Sequence, residues 1–310
     1  MSILIVGEAV IDIIKCTDGS SEEHPGGSPA NVAIGVSRLG LPSHLLTMIG
    51  KDARGNTVRQ WLVADDVATT VVETERTATA VATLDEHGAS TYTFDMTWDL
   101  HGYEPDLQDV DHIHTGSIAA FINPGAQDVA RIVSSAREHA TISYDPNIRP
   151  ALIDDMATVR EQVLSLIAQA DVVKCSDEDL GYMFEREALS QTDAIELART
   201  WIEQGRTSGH GPLLVAVTAG KDGVIAVNAA GEHVHVPADP QVKVVDTVGA
   251  GDSFMGALVY QLANCGLTGN RNKIAELDRE TMREIAVFAA RVADITVSRA
   301  GANPPRFEEL

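Results

Sequence analysis

Apolar and polar positions along the chain follow two periods, and the switch between them marks the elements. Residues 3–7 form a short unbroken apolar run, the pattern of a fully buried strand. Ser28-Pro29-Ala30-Asn31 opens a helix with a capping Ser and a Pro in its first turn, and Gly40 closes it. Residues 45–49 read as the next strand and 56–64 as a helix. Across 69–94 the character changes to alternating β-branched residues, and Asp85-Glu86-His87-Gly88 interrupts them as a hairpin turn. Strands then alternate with helices: 111–114, 141–144, 171–174 and 213–218 are the strands. A second β cluster covers 224–227 and 233–236, and two long helices close the chain, the last from about 280 to 298. Such alternation predicts an α/β fold of three layers, a mainly parallel sheet with helices on both faces. The segments near 11–14 and 69–94 do not fit that layer and are expected to form a small separate β-sheet.

Composition narrows the function classes. The chain has 310 residues, enough for one large α/β domain or two smaller ones, with 44% of them hydrophobic and a mean hydropathy near zero, as expected for a folded protein with a sizeable core. Its formal charge of −22 argues against nucleic acid and against docking on anionic membranes. An acidic protein can still hold ATP if backbone amides and a few placed cations, with Mg2+, meet the phosphates. Cys16, Cys175 and Cys265 are odd in number and without a C-x-x-C spacing, which reads as reduced thiols in the cytoplasm. No basic segment precedes the apolar N-terminus, so no signal peptide is expected. No apolar run approaches the ~20 residues of a spanning helix.

The chemistry concentrates in Asp246-Thr-Val-Gly249-Ala250-Gly251-Asp252-Ser-Phe-Met-Gly256. The run Val242, Val244, Val245 before it reads as a strand, and the three-and-four spacing after it as a helix. A strand, a glycine turn and a helix start offer unpaired N–H groups to an anion, with the Asp252 carboxylate beside them. A tight turn with Asp252 as a helix cap explains the same residues equally well on local grounds. Four further groups stand where strands are expected to end: Gly7-Glu8 with Asp12, Asp145-Pro-Asn147-Ile-Arg149, Lys174-Cys-Ser176-Asp-Glu-Asp179, and Thr218-Ala-Gly220-Lys-Asp-Gly223. Ligands of open α/β sheets bind at those ends. Gly26-Gly27-Ser-Pro-Ala-Asn31 adds a glycine approach and a side chain that both donates and accepts. His112 with His114, and His233 with His235, alternate on strands without metal-ligand company. No G-x-x-x-x-G-K-[ST] occurs. A dinucleotide fingerprint is disfavoured because the third glycine is misplaced and no acid follows at the required distance. A sugar or nucleotide sensor without catalysis has no need of Asp252 in the nest.

Residues 27–50 resemble the N-terminal signature of the ribokinase-like (PfkB-type) sugar kinases, and 246–259 match the C-terminal signature without a gap. The resemblance spans residues 1–310 as one domain, and Gly7-Glu8, Pro29-Ala-Asn31 and Asp145-Pro-Asn-Ile-Arg149 are most similar to fructokinases. It implies that Asp252 is the base for a sugar's primary hydroxyl, while Gly249, Ala250 and Gly251 steady charge on the transferred phosphoryl group. It places Asp12, Gly27 and Asn31 on the sugar, Arg149 near the phosphoryl group or the sugar as part of the substrate site, and Thr218, Gly220 and Gly223 with Gly249 and Gly251 on ATP. Mg2+ would accompany ATP, with Asp179 acting on it indirectly, and Asp246 would lie by a monovalent cation such as K+. The β segments at about 11–25 and 67–100 would form a lid and pair two subunits. Fructose leads as the substrate, with ribose, 2-keto-3-deoxygluconate or a nucleoside as alternatives. Two features depart from the family pattern: Asp179 stands where Glu is common, and Leu152-Ile153 where Leu-Trp is common.

Overall fold

The computed structural model describes residues 2–15, 20–84, 90–186 and 189–310, so Cys16 and the expected turn at 85–88 lie outside the described residues. In chain order β1 (Ile3–Val6), β2 (Val10–Lys15) and β3 (Ser21–Gly26) precede α1 (Ser28–Arg38), and β4 (Ser43–Gly50) leads to α2 (Ala53–Ala64). Next come β5 (Ala68–Thr74), β6 (Thr79–Leu84), β7 (Ser90–Asp95), β8 (His112–Gly116), α3 (Gly125–Ala136), β9 (Thr141–Asp145) and α4 (Met156–Ile167). The second half holds β10 (Val172–Ser176), α5 (Asp177–Phe184), α6 (Gln191–Ser208), β11 (Leu214–Thr218), β12 (Val224–Asn228) and β13 (His233–Val236). Three helices close the chain: α7 (Ala250–Asn264), α8 (Arg271–Ala275) and α9 (Arg279–Val297).

Nine strands form the central sheet in the order β13-β12-β11-β10-β9-β8-β1-β4-β5. The strands from β11 across to β5 run parallel, and β12 and β13 return antiparallel at one edge. Side chains alternate between the two faces, so the unbroken apolar run of β1 serves two cores. Ile3 and Ile5 pack with Val32 of α1, Leu258 of α7 and Ala289 of α9, whereas Leu4 and Val6 pack with Val129 of α3, Val163 of α4 and Trp201 of α6. Each Ile or Leu so enclosed contributes ~1.5–3 kcal/mol.

A second sheet of four strands, in the order β3-β2-β6-β7, stands apart from the first. Its strands β2, β6 and β7 fall within the segments expected to form a small separate sheet, but β5 belongs to the central sheet. There it pairs parallel with β4, from Ala68 beside His44 to Thr74 beside Gly50. β4, α2 and β5 form a crossover unit, which carries the chain back to the same sheet. β-branched alternation is common to both kinds of strand, so composition could not separate β5 from β6 and β7. Trp98, also expected in the lid, is buried in the body of the protein, where its Nε1 donates to Ala119 O at 3.1 Å.

The strand expected at 242–245 is absent. Val244, Val245 and Val248 are 59%, 57% and 54% exposed, and the segment runs past the C-terminus of α9, where Val245 N donates to Val297 O at 2.8 Å. With β13 at the sheet edge, the segment joins no neighbouring strand, and its β-branched residues remain irregular.

Candidate active site

Two helices converge on Asp252, and glycine sets how closely they approach. α1 crosses α7 where Gly35 meets Gly256: a Cβ added to Gly256 would stand 3.2 Å from Val32 O and 3.4 Å from Gly35 Cα. One turn earlier on each helix lie Asn31 and Asp252, and Asn31 Nδ2 donates to Asp252 Oδ2 at 2.7 Å. Ser28 Oγ donates to Asp252 Oδ1 at 2.6 Å. The expected role of Ser28 as a helix cap is therefore corrected: Gly27 occupies the N-cap position, and the Ser28 hydroxyl is spent on Asp252 instead. The shared direction of the two helices brings both N-termini to the same place, where their amides favour negative charge.

The glycine turn takes its shape from Gly249, whose φ of 74° a side chain would strain and whose added Cβ would meet Ala302 Cβ at 2.5 Å. Ser253 N closes the first helical bond on Gly249 O at 2.8 Å, and Ala250 N donates to Thr247 O at 3.3 Å. Gly251 N and Asp252 N have no acceptor among the described residues. Gly249 N likewise has no acceptor there, so within the expected trio of Gly249, Ala250 and Gly251 the amide of Ala250 is engaged, and Asp252 N joins the free donors at the positive end of α7.

The charge of Asp252 acts on two other carboxyls, Glu8 and Asp12. Glu8, in the link between β1 and β2, accepts from Ala119 N at 3.2 Å. Burial pushes its carboxyl up to about 8, with the charge of Asp252 adding to the shift. Asp12 on β2 is pushed up to about 6 by burial, opposed by the Arg149 guanidinium and reinforced by Asp252. The structure thus gathers Asp12, Arg149 and Asp252 around one point, with Gly27 between α1 and the Glu8 backbone. Arg149 is exposed, and its guanidinium donates to Asn147 O and Ile148 O at 3.2 Å each. Ser28 and Glu8 belong to this group as well; the sequence signal for Ser28 was its place one turn ahead of Asn31 on one helix face.

Lys174 and Asp145 lie beneath the nest. Both are buried, and Nζ is 2.9 Å from Asp145 Oδ2. Burial opposes the lysine charge, but Asp145, Asp179 and Asp252 together outweigh it and hold the ammonium above the usual lysine range.

Thr218 ends β11, and the turn through Gly220 and Gly223 sets Gly223 against the backbone of 236–238. Beyond that contact opens a cleft of about 520 Å³ whose lining includes Val236, Pro237, Val242, Ala290, Ile295 and Ser298. Its mostly apolar walls suit a flat aromatic group.

The acids expected near metal ions have other partners here. Asp179 is 3% exposed; its oxygens accept from Ser176 N and Oγ at 2.8 Å and from Ile148 N at 2.7 Å. Three hydrogen bonds occupy most of its four lone-pair sites, so it caps α5 and ties down the segment after β9. No group of three or more His, Cys, Asp or Glu suited to a metal occurs among the described residues. Asp246 accepts from Val248 N at 3.0 Å and from Gly301 N at 2.8 Å, which joins the turn before α7 to the chain after α9.

A fructokinase of Klebsiella pneumoniae is 34% identical over 282 residues, covering 88% of each chain. The crystal structure of a Xylella fastidiosa fructokinase with bound ATP superposes with a TM-score of 0.81 at 27% identity, covering 97% of this chain and 93% of the other. A double mutant of the Vibrio cholerae O395 fructokinase, in fructose, ADP and potassium ion bound form, gives a TM-score of 0.76 at 25% identity, covering 97% and 94%. The description "pfkB family carbohydrate kinase" matches residues 1–309, and the chain belongs to that family.

Proposed function

We propose that this carbohydrate kinase transfers the γ-phosphoryl group of ATP to the primary hydroxyl of D-fructose, giving fructose 6-phosphate. The observation that carries the reading is Asp252, with each oxygen held by a donor from α1 and with the free amides of Gly251 and Asp252 beside it. Asp252 accepts the hydroxyl proton as the oxygen attacks. The amides hold the equatorial oxygens of the phosphoryl group as charge shifts across it. Asp12, Gly27, Asn31 and Arg149 orient the sugar. The cleft beyond Gly223 takes the nucleobase, with Thr218 and Gly220 at its entrance. Fructose is favoured over ribose, 2-keto-3-deoxygluconate or a nucleoside because the similarity to fructokinases extends over most of the chain.

Mg2+ would accompany ATP, and Asp179, committed to capping, would act on it only indirectly. When bound it neutralises charge on the β- and γ-phosphates. Asp246 with the chain around Gly301 fits a monovalent cation better, because a carboxylate and irregular backbone meet there. The four-stranded sheet closes over the sugar, and its edge strands β3 and β7 face a second subunit. Among the described residues no helix is long and apolar enough to cross a membrane, and we assign the kinase to the cytoplasm.

The test is ADP release with MgATP across a panel of fructose, ribose, 2-keto-3-deoxygluconate and nucleosides. Fructose is expected to give the highest kcat/KM; a tenfold preference for another member overturns the fructose assignment and leaves the kinase intact.

A further inference from the structure

We infer that Lys174 is an electrostatic positioning residue for phosphoryl transfer: its buried ammonium supports the Gly251–Asp252 amides from beneath, with Asp145 as its counter-ion. The inference rests on the kinase reading but not on the identity of the sugar.

Three observations carry it. The first is contact. A Cβ added to Gly251 would stand 2.8 Å from Lys174 Nζ, so the absence of a side chain at 251 makes room for the ammonium directly against the nest. The second is orientation. Asp145 Oδ2 holds Nζ at 2.9 Å, while the ammonium lies against Gly251, so the ion pair is a fixed dipole with its positive end toward the nest. The third is incomplete pairing. An ammonium has three N–H donors, and Asp145 Oδ2 is its one hydrogen-bond acceptor among the described residues. Asp145 Oδ1 is likewise buried without a partner.

A buried ion pair is poor evidence of stability, because well-packed apolar side chains generally serve at least as well. Its retention next to the transferred group has a better explanation in the reaction. Fixed dipoles aimed at developing charge require no reorganisation when the phosphoryl group moves. The nearby charged groups are Asp145, Asp179 and Asp252, with His114 also in range. Lys174 is the cation among them.

The experiment compares K174M, D145N and K174M/D145N with the wild type by kcat, KM and thermal melting, using fructose or whichever sugar the wild type turns over. One positive charge lost ~7 Å from the reacting group, at an effective dielectric constant of about 20, predicts a roughly 50-fold fall in kcat for K174M. The KM values for ATP and sugar stay within about threefold. The double variant removes the unpaired carboxylate, so its melting temperature recovers while kcat stays low. Recovery of kcat together with stability overturns the inference. Should the double variant not fold, D145N decides: it keeps the cation but loses its anchor, so kcat falls less than in K174M, and a fall as deep as that of K174M overturns the inference. A second readout needs no sugar. ADP with fluoroaluminate, a mimic of the transferred phosphoryl group, should raise the melting temperature of the wild type more than ADP alone. That increment should vanish in K174M, and its persistence overturns the inference. A wild type that turns over no sugar in the panel, yet shows the increment, refutes the substrate assignment alone.

Discussion

Replacing Asp252 by Asn tests the base without dismantling its surroundings. The carboxylate accepts from Ser28 Oγ at 2.6 Å and from Asn31 Nδ2 at 2.7 Å. An Asn side chain can direct its oxygen toward Asn31 and its amino group toward Ser28, whose hydroxyl turns to accept. Both hydrogen bonds survive, and stability should change by no more than about 1 kcal/mol. Loss of charge is the larger effect. An amide cannot take the proton of the sugar hydroxyl, and removal of a general base costs about 10²–10⁴-fold in turnover. The loss should fall on kcat, with the KM values for sugar and ATP within a few-fold. Steady-state kinetics paired with thermal melting reads both quantities. An internal control comes from Glu8 and Asp12, whose carboxyls are pushed up in part by the charge of Asp252 and should titrate lower in the variant. Turnover within tenfold of the wild type would refute the assignment of the base. A collapse in melting temperature would instead mean that the hydrogen bonds did not re-form.

Three other perturbations address the parts around it. Glu8 titrates near 8 in the folded protein against 4.5 when free, so the folded state keeps a proton that the unfolded chain loses. Its presence therefore costs stability progressively as pH rises from about 4.5 to 8, up to about 5 kcal/mol; melting curves of Glu8→Gln should flatten across that window, and curves parallel to the wild type would refute the environment assigned to Glu8. Asp179→Asn should lower stability by about 1–3 kcal/mol through the lost cap, with the Mg2+ dependence of the rate unmoved; a tenfold shift in that dependence at constant melting temperature would make Asp179 a metal residue after all. Gly256→Ala places a methyl group 3.2 Å from Val32 O, which pushes α1 off α7 and stretches the Asn31–Asp252 bond; stability should fall by about 1–3 kcal/mol and kcat by roughly tenfold, and unchanged kinetics would show that the crossing does not position the base.

How much of this was legible in the sequence depended on whether a feature was local. The central strands were, because an unbroken apolar run such as residues 3–6 has few alternatives once helices alternate with it. β5 was misplaced because its alternation looks like that of β6; only its partner differs, and pairing is a long-range property. The segment 242–245 has strand composition but no strand beside it, so its β-branched residues lie exposed against α9. In the site, Asp252 and Asn31 were legible from the family signatures. The hydrogen bond from Ser28 was hidden by its strong prior as a helix cap, and the contact of Lys174 with Gly251 joins positions 77 residues apart.

Charge is arranged in this site against the balance of the whole chain. At −22 the protein repels a polyphosphate at long range, and Glu8, Asp12 and Asp252 add carboxyls where the phosphoryl group must pass. Three devices offset this locally. Burial pushes Glu8 up to about 8, so near neutral pH it is mostly protonated and Asp252 is spared a second full negative charge at close range. On the other side, the free amides at the start of α7 favour negative charge and have no backbone acceptor among the described residues. The helix start, the neutral acid and the Lys174 ammonium divide the electrostatic work around Asp252 between them. In the proposed function the sugar-facing groups come from β2, the start of α1 and the segment after β9, and the phosphoryl-facing amides from the start of α7. On that reading a change of sugar preference calls for substitution around β2 and the segment after β9, whereas α1 also holds Asp252 through Ser28 and Asn31 and is less free to vary.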